Sequence, residues 1–318
     1  MPPLLPDADN AAGAIEEWAR STALADLVRL SGGEVPVDLA LVELLGWLQE
    51  FSAAWDFRGG KERNLFEARA LDPATDKAIK DDAAALGLIG GGVRPQGRYE
   101  HVLILGGLAR ACLARPLAAA QVLNGGGIEA GAVTALGGFR ELRGDEVGMV
   151  EQVAPEQAGT QAVDDEFDAM DVGVRLAFGL GAPDDERGMR AESAYGSWRV
   201  HEYTTGAGLP VFVVAAPSSE PEARRTNTGD SYEWFATDLA GLRSGQRLLL
   251  VTSDIYVPYQ HADALRILGL PFGVEVETMG IQPGDLDPRL EQSFSADAYL
   301  QEVRSTIMAF GRLLAAIS

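Results

Sequence analysis

Two carboxylates, two glycine pairs and a short arginine–hydroxyl cluster are the places where this chain could do chemistry. Glu146 closes the stretch LGGFRELRGDE at 136–146, and Asp254 follows Thr252 and Ser253 at the end of an apolar run. A pair of carboxylates in unlike environments can pass a proton to and from a substrate. Without further ligands two carboxylates do not specify a metal, and none is expected. Glu146 has two readings: a general base or holder of a ribose or amine, and a helix-start residue paired with Arg140 or Arg143. Ser253 would need a base to act as a nucleophile, and no histidine stands near it in sequence, so a hydrogen-bonding role is expected. His261 reads as structural.

Arg224 and Arg225 directly precede Thr226-Asn227-Thr228. A helix start carries unpaired N–H groups and a partial positive charge, so Arg224, Arg225, Asn227 and Thr228 are expected to hold an anion. The plainer alternative is an ordinary cap, with both arginines paired to surface carboxylates. Gly106-Gly107 and Gly137-Gly138 each end an apolar run, and glycines there let a backbone or ligand come close. Arg140 lies just beyond the second pair. Neither pair makes a GxGxxG motif.

Short apolar runs without alternation must position these residues, as suits parallel strands covered on both faces. They are 102–105, 130–136, 211–216 and 248–251, with amphipathic helical stretches between them. Residues 224–268 compress the plan into one unit: capped helix, buried strand, polar strand end, second helix. An α/β fold follows, with a mostly parallel sheet from about 99 to 280. Gly106-Gly107, Gly137-Gly138, Ser218, Asn227 and Thr252-Ser253 should meet at its carboxyl edge. Strictly alternating 274–278 reads as a more exposed strand, 198–203 as an edge or hairpin strand, and Pro183-Asp184-Asp185-Glu186 as a solvated turn. Residues 151–166 read as irregular.

Ahead of the sheet, Ile15, Trp18, Thr22, Leu24, Leu27 and Leu30 fall largely on one helical face ended by Gly32-Gly33, and Pro36 suits the first turn of the next helix. The charged stretch 56–85, including Arg58, Lys61, Glu62 and Arg63, reads as one or two solvated helices. The glycine-rich run from Gly90 marks a boundary, giving a helical accessory segment over 1–90 and a Rossmann-like domain with a C-terminal helix over 91–318.

A net charge of −21 argues against nucleic acid and anionic membranes as partners but leaves room for a small anion. The single cysteine, Cys112, excludes an intrachain disulfide and fits a reducing compartment. No spaced zinc-ligand set, signal peptide or transmembrane-length apolar run is present, so cytoplasmic residence is expected. Oligomeric state stays open.

The order of LGG at 105–107, LGGFRELRGDE at 136–146, TNTGDS at 226–231 and VTSDIYVP at 251–258 resembles the YdcF-like family, the ElyC/SanA/YdcF group, over about 99–280. The resemblance implies a three-layer Rossmann-like sheet that binds S-adenosylmethionine or a nucleotide-like molecule. Gly106, Gly107, Arg115, Gly137, Gly138, Glu146, Asn227, Thr228, Thr252 and Ser253 stand at the matching positions. Tyr256 and Tyr259 occupy the places where that family often has His and Arg, and the serine before the second glycine pair is missing. The expected function is therefore a small-molecule enzyme, a transferase or hydrolase, using a nucleotide-like, S-adenosylmethionine-like or phosphorylated ligand. A ligand-binding or regulatory protein without turnover is the alternative.

Overall fold

The computed structural model describes residues 5–57, 69–193, 195–282, 284 and 286–317. Arg58, Lys61, Glu62 and Arg63 lie outside the described residues. In chain order the elements begin with helices α1 (Ala11–Ala19), α2 (Thr22–Leu30), α3 (Leu41–Phe51) and α4 (Pro73–Ala85). Then come β1 (Gly97–Ile104), α5 (Ala109–Asn124), β2 (Ile128–Gly137), α6 (Glu146–Val153), α7 (Pro155–Ala158) and α8 (Glu166–Phe178). The chain continues through β3 (Asp185–Met189), β4 (Trp198–Thr204), β5 (Pro210–Ala215), α9 (Thr228–Trp234) and β6 (Arg247–Ser253). It ends with α10 (Val257–Ala264), α11 (Leu270–Phe272), β7 (Glu275–Ile281) and α12 (Ala296–Ile317).

The chain divides into two compact units. One comprises residues 1–92, 254–266 and 293–318; the other comprises 93–253 and 267–292. The first is helical. Its longest helix, α12, buries Val303, Ile307, Phe310 and Leu314 of the stripe legible in the sequence, with Leu300 buried where Tyr299 is expected. Trp18 meets Phe310 edge-on at 5.1 Å, and its indole N–H donates to the Leu86 carbonyl at 3.1 Å. Arg312 of α12 pairs with Asp263 of α10 at 3.0 Å. The single stripe expected over residues 15–30 is two helices, because Ser21 accepts from the Leu24 N–H and caps a new one. Pro36 does not open a helix. The next helix starts at Leu41, behind Ala40, whose N–H is taken by Glu43. By its contacts α12 belongs to this helical unit, although it follows the sheet in sequence.

The second unit is the three-layer Rossmann-like α/β fold. Among the described residues its sheet has seven strands in the order β3-β4-β5-β2-β1-β6-β7. The run β5-β2-β1-β6-β7 is parallel, and β4 and β3 close one side antiparallel. One face carries Val133, Ala135, Val213, Ala215, Leu249 and Val251 into a core with Cys112 and Leu113 of α5 and Phe167 and Met170 of α8. Helices α5 and α8 touch backbone to backbone. A Cβ on Gly173 would lie 2.0 Å from the Cys112 carbonyl oxygen. On the other face His101 packs edge-on against Phe235, just past α9, at 5.3 Å.

Two stretches differ from the sequence reading. Asp185–Met189 is an edge strand rather than part of a solvated turn, and every residue in it is exposed. Such a strand carries no apolar signal, and charges on an edge discourage further pairing. Within 151–166, the end of α6 and α7 supply helical turns with Val153 and Ala158 buried. The chain steps from β1 to β2 to β5 in one direction, then returns to place β6 on the far side of β1. The strand order therefore reverses between β1 and β6, the kind of point at which open α/β sheets take ligands.

Candidate functional site at the carboxyl edge of the sheet

Because β5, β2, β1 and β6 run parallel, their carboxyl ends share one edge. Gly106-Gly107, Gly137-Gly138, Ser218 and Thr252-Ser253 follow or close those strands and are gathered there. At the reversal point the gap between strand ends is bridged by Arg115 of α5, only 1% exposed. Its guanidinium donates to the carbonyls of Leu105 (2.7 Å) and Gly106, and to the Ser253 hydroxyl at 3.3 and 3.4 Å. A buried guanidinium is tolerated only when its N–H groups find acceptors, and strand-end carbonyls supply them. Ser253 thus serves as a hydrogen-bonding residue, and Thr252 beside it is fully buried.

Gly106 is required by its surroundings. A Cβ there would sit 2.3 Å from Glu166 Oε1 and 2.4 Å from the Leu136 carbonyl oxygen. Gly137 lies against the backbone of Phe167, whereas Gly138 faces open space.

Beyond β2, Arg140 stands between two carboxylates. It holds Glu146 in a two-pronged pair, both bonds 2.9 Å, and reaches Glu166 through Nε at 3.3 Å. Glu146 opens α6, is 5% exposed, and also accepts from the Ala109 N–H (2.9 Å) and the Arg143 N–H (3.1 Å). Burial alone would raise its carboxyl, but Arg140 and the two N–H donors outweigh that and hold it below the usual range. Glu166, the first residue of α8, goes the other way. Burial pushes its carboxyl up, against the opposing pull of Arg140, Arg225 and the Gly107 N–H. The guanidinium of Arg140 is itself more basic than usual: burial works against its charge, and Glu146 and Glu166 prevail.

After β5 the chain forms a polar corner. Thr226 donates its hydroxyl to the Ala216 carbonyl at 2.7 Å, fixing the entry to α9. Asn227 caps that helix, accepting from the Asp230 N–H at 3.0 Å while Asp230 accepts from the Asn227 N–H at 2.9 Å. Arg224, expected to help hold an anion, instead pairs with Asp230 at 2.5 Å and with Glu220 at 3.0 Å, the plainer of the two readings. Burial of Asp230 acts to raise its carboxyl, but Arg224, Ser219 and the Asn227 N–H bring it to about 2. The first turn of α9 therefore carries its own carboxylate. Arg225, Asn227 and Thr228 are exposed, and the charge of Arg225 is felt by Glu166.

Asp254 lies in the helical unit, where its carboxylate accepts from the Gly90 N–H at 2.8 Å. Tyr256 and Tyr259 belong to that unit as well and meet edge-on at 6.1 Å. His261, also there, has Nε2 2.7 Å from the Pro6 carbonyl oxygen. Glu166 is the site residue that reading the sequence missed. Its only linear signal is the acidic start of the helix, Asp164-Asp165-Glu166-Phe167-Asp168. Among the described residues no three or more His, Cys, Asp or Glu side chains are grouped to hold a metal ion. No helix among them is long and apolar enough to cross a membrane.

Fold and edge together define an α/β protein with a Rossmann-like sheet and a helical companion unit. The family described as the Rv3785 N-terminal domain matches residues 5–87. Over most of its length the chain is similar to uncharacterized protein Rv3785 of Mycobacterium tuberculosis (strain H37Rv). Identity is 34% over 332 residues, covering 94% of this chain and 88% of that protein. Uncharacterized protein Mb3814 of Mycobacterium bovis matches with the same identity and coverage. The chain belongs to the Rv3785 family. No solved structure matches. The resemblance to the YdcF-like family is thereby corrected: the matches over almost the whole chain are to Rv3785 proteins. LGG, NTGDS and VTS are short pieces of strand-end and helix-cap chemistry that α/β sheets use generally. With that assignment go the roles it lent to individual residues, including the significance given to Tyr256 and Tyr259.

Proposed function

We propose that the carboxyl edge of the sheet binds a small molecule and that the protein is an enzyme acting on it. The ligand class is nucleotide-like, S-adenosylmethionine-like or phosphorylated, and the reaction is a transfer or a hydrolysis. One observation carries the reading: two carboxylates share Arg140 at the strand ends, with Glu146 held ionised and Glu166 pushed toward its neutral form. Carboxylates whose environments drive them apart are the usual source of a proton donor beside a fixed negative charge. In this assignment Glu166 moves the proton. Glu146 anchors Arg140 and the start of α5, and exposed Arg225 with Asn227 and Thr228 meets the ligand's anionic part. A small molecule rather than nucleic acid, and a cytoplasmic setting, agree with the charge of −21 and the single cysteine.

A binding protein without turnover is the second reading, favoured by the four hydrogen bonds that already occupy Glu146. Native mass spectrometry of the purified protein, followed by incubation of whatever molecule it carries, separates the two. The enzyme reading expects product, and its loss in Glu166→Gln. A tightly held molecule returned unchanged under all conditions supports the binding reading instead.

A further inference from the structure

At the outer end of the same edge lies an aromatic corner that the charge cluster does not use. Strand β4 runs antiparallel to β5, so its first residues sit at the carboxyl ends of the parallel strands; Arg199 pairs with Ala215, the last residue of β5. Trp198 stands immediately before Arg199. Its ring lies 5.8 Å from that of Trp234, tilted by 37°. Trp234 ends the helix that Asn227 caps. Both indoles are only half-buried, whereas Trp18 and Trp55 of the helical unit are 2% exposed.

One more apolar side chain adjoins them across the strands. Met189 pairs with Trp198 and is 52% exposed. Leaving two indoles and a thioether partly in water at one corner is informative, since a lone exposed apolar residue is ordinary and a cluster is not.

We propose that this corner is a stacking platform for a planar heteroaromatic ring, so that the ligand at the carboxyl edge carries a nucleobase-like group rather than being an aliphatic phosphate ester. The assignment rests on the small-molecule reading given above and narrows it. Size decides the occupant. A stable protein partner covers about 800 Å² on each side. Three partly covered side chains, two of them indoles of roughly 150–250 Å² when fully buried, offer much less. They match a ring system one or two rings wide, and indole faces bind such rings whatever their substituents. Continuity supports the same occupant. Trp198 stands beside the end of β5, and Trp234 lies on the helix whose start presents Asn227 and Thr228. One molecule with a ring at one end and an anionic group at the other can therefore touch both.

Calorimetric titration of the full chain with AMP and with ribose 5-phosphate tests the proposal, using the wild type and Trp234→Phe, Trp234→Ala and Arg225→Ala, with melting curves as the check on folding. AMP should bind at least tenfold more tightly than ribose 5-phosphate. Trp234→Ala should weaken AMP by about ten- to a hundredfold and leave ribose 5-phosphate unchanged, and Trp234→Phe should keep most of the affinity. Equal affinity for the two compounds, equal losses for both in Trp234→Ala, or no AMP binding at millimolar concentration overturns the platform. Arg225→Ala reports on the edge itself. If it weakens both compounds alike while AMP gains nothing over ribose 5-phosphate, the platform fails and the anionic edge stands. If AMP depends on Trp234 but not on Arg225, the platform stands and the anionic part of the edge reading fails.

Discussion

Arg140 is the residue on which the charge cluster turns. It bonds Glu146 and Glu166 at once, and all three side chains are largely out of water. Removing one partner of a buried pair leaves an uncompensated charge, which costs about 3–5 kcal/mol. Arg140→Met should therefore destabilise by about that amount in a denaturant titration, and adding Glu146→Gln to it should recover part of the loss. A loss below about 1 kcal/mol would mean that water already screens the cluster. Asp165, at the cap of α8, offers a pH test. Burial raises its carboxyl from 3.8 to about 6, although the Asp168 N–H bond opposes the shift. A carboxyl raised by folding is penalised when ionised, so its cost is absent below about pH 4, grows through pH 6 and is complete above it. Asn can accept the same capping bond without charge. Asp165→Asn should raise the melting temperature at pH 7 to 8 by a few degrees, and the difference should vanish near pH 4. An equal gain at both pH values would show that charge is not the cause.

At the scale of elements, α9 shows how local chemistry and site position coincide. Asn227 and Asp230 form a reciprocal cap, and Arg224 covers Asp230. Asn227→Ala should cost roughly 1 kcal/mol of stability, readable as a drop of a few degrees in melting temperature. No change would mean that Thr228 or solvent replaces the cap. The buried parallel strands were legible from sequence because a strand covered on both faces is a continuous apolar run, as at 248–251 and 211–216. Edge strand β3, sequence DERGM, was not, because nothing covers it. Glu166 was not legible because its role arises where α8 meets the ends of β1 and β2, a proximity that linear spacing does not carry. The short glycine and hydroxyl motifs were read correctly as strand ends and a helix cap, yet they misled as family markers, since any βα unit can make them.

For the whole molecule, the two-unit division explains what periodicity leaves undetermined. The stripe Tyr299, Val303, Ile307, Phe310, Leu314 identifies α12 as amphipathic but is silent on what it packs against; its contacts are with α1, α3, α4 and α10. The net charge of −21 and isoelectric point near 4.5 mean that repulsion between molecules falls away in acid. The central claim is that the carboxyl edge of the sheet is a binding site. It is tested most directly by native mass spectrometry of the purified full chain under gentle desolvation, comparing wild type with Arg225→Ala. The account predicts a bound small molecule with an anionic group on the wild type, displaced by excess AMP and reduced in the variant. A wild-type spectrum showing bare protein, together with no AMP adduct at millimolar concentration, would contradict it.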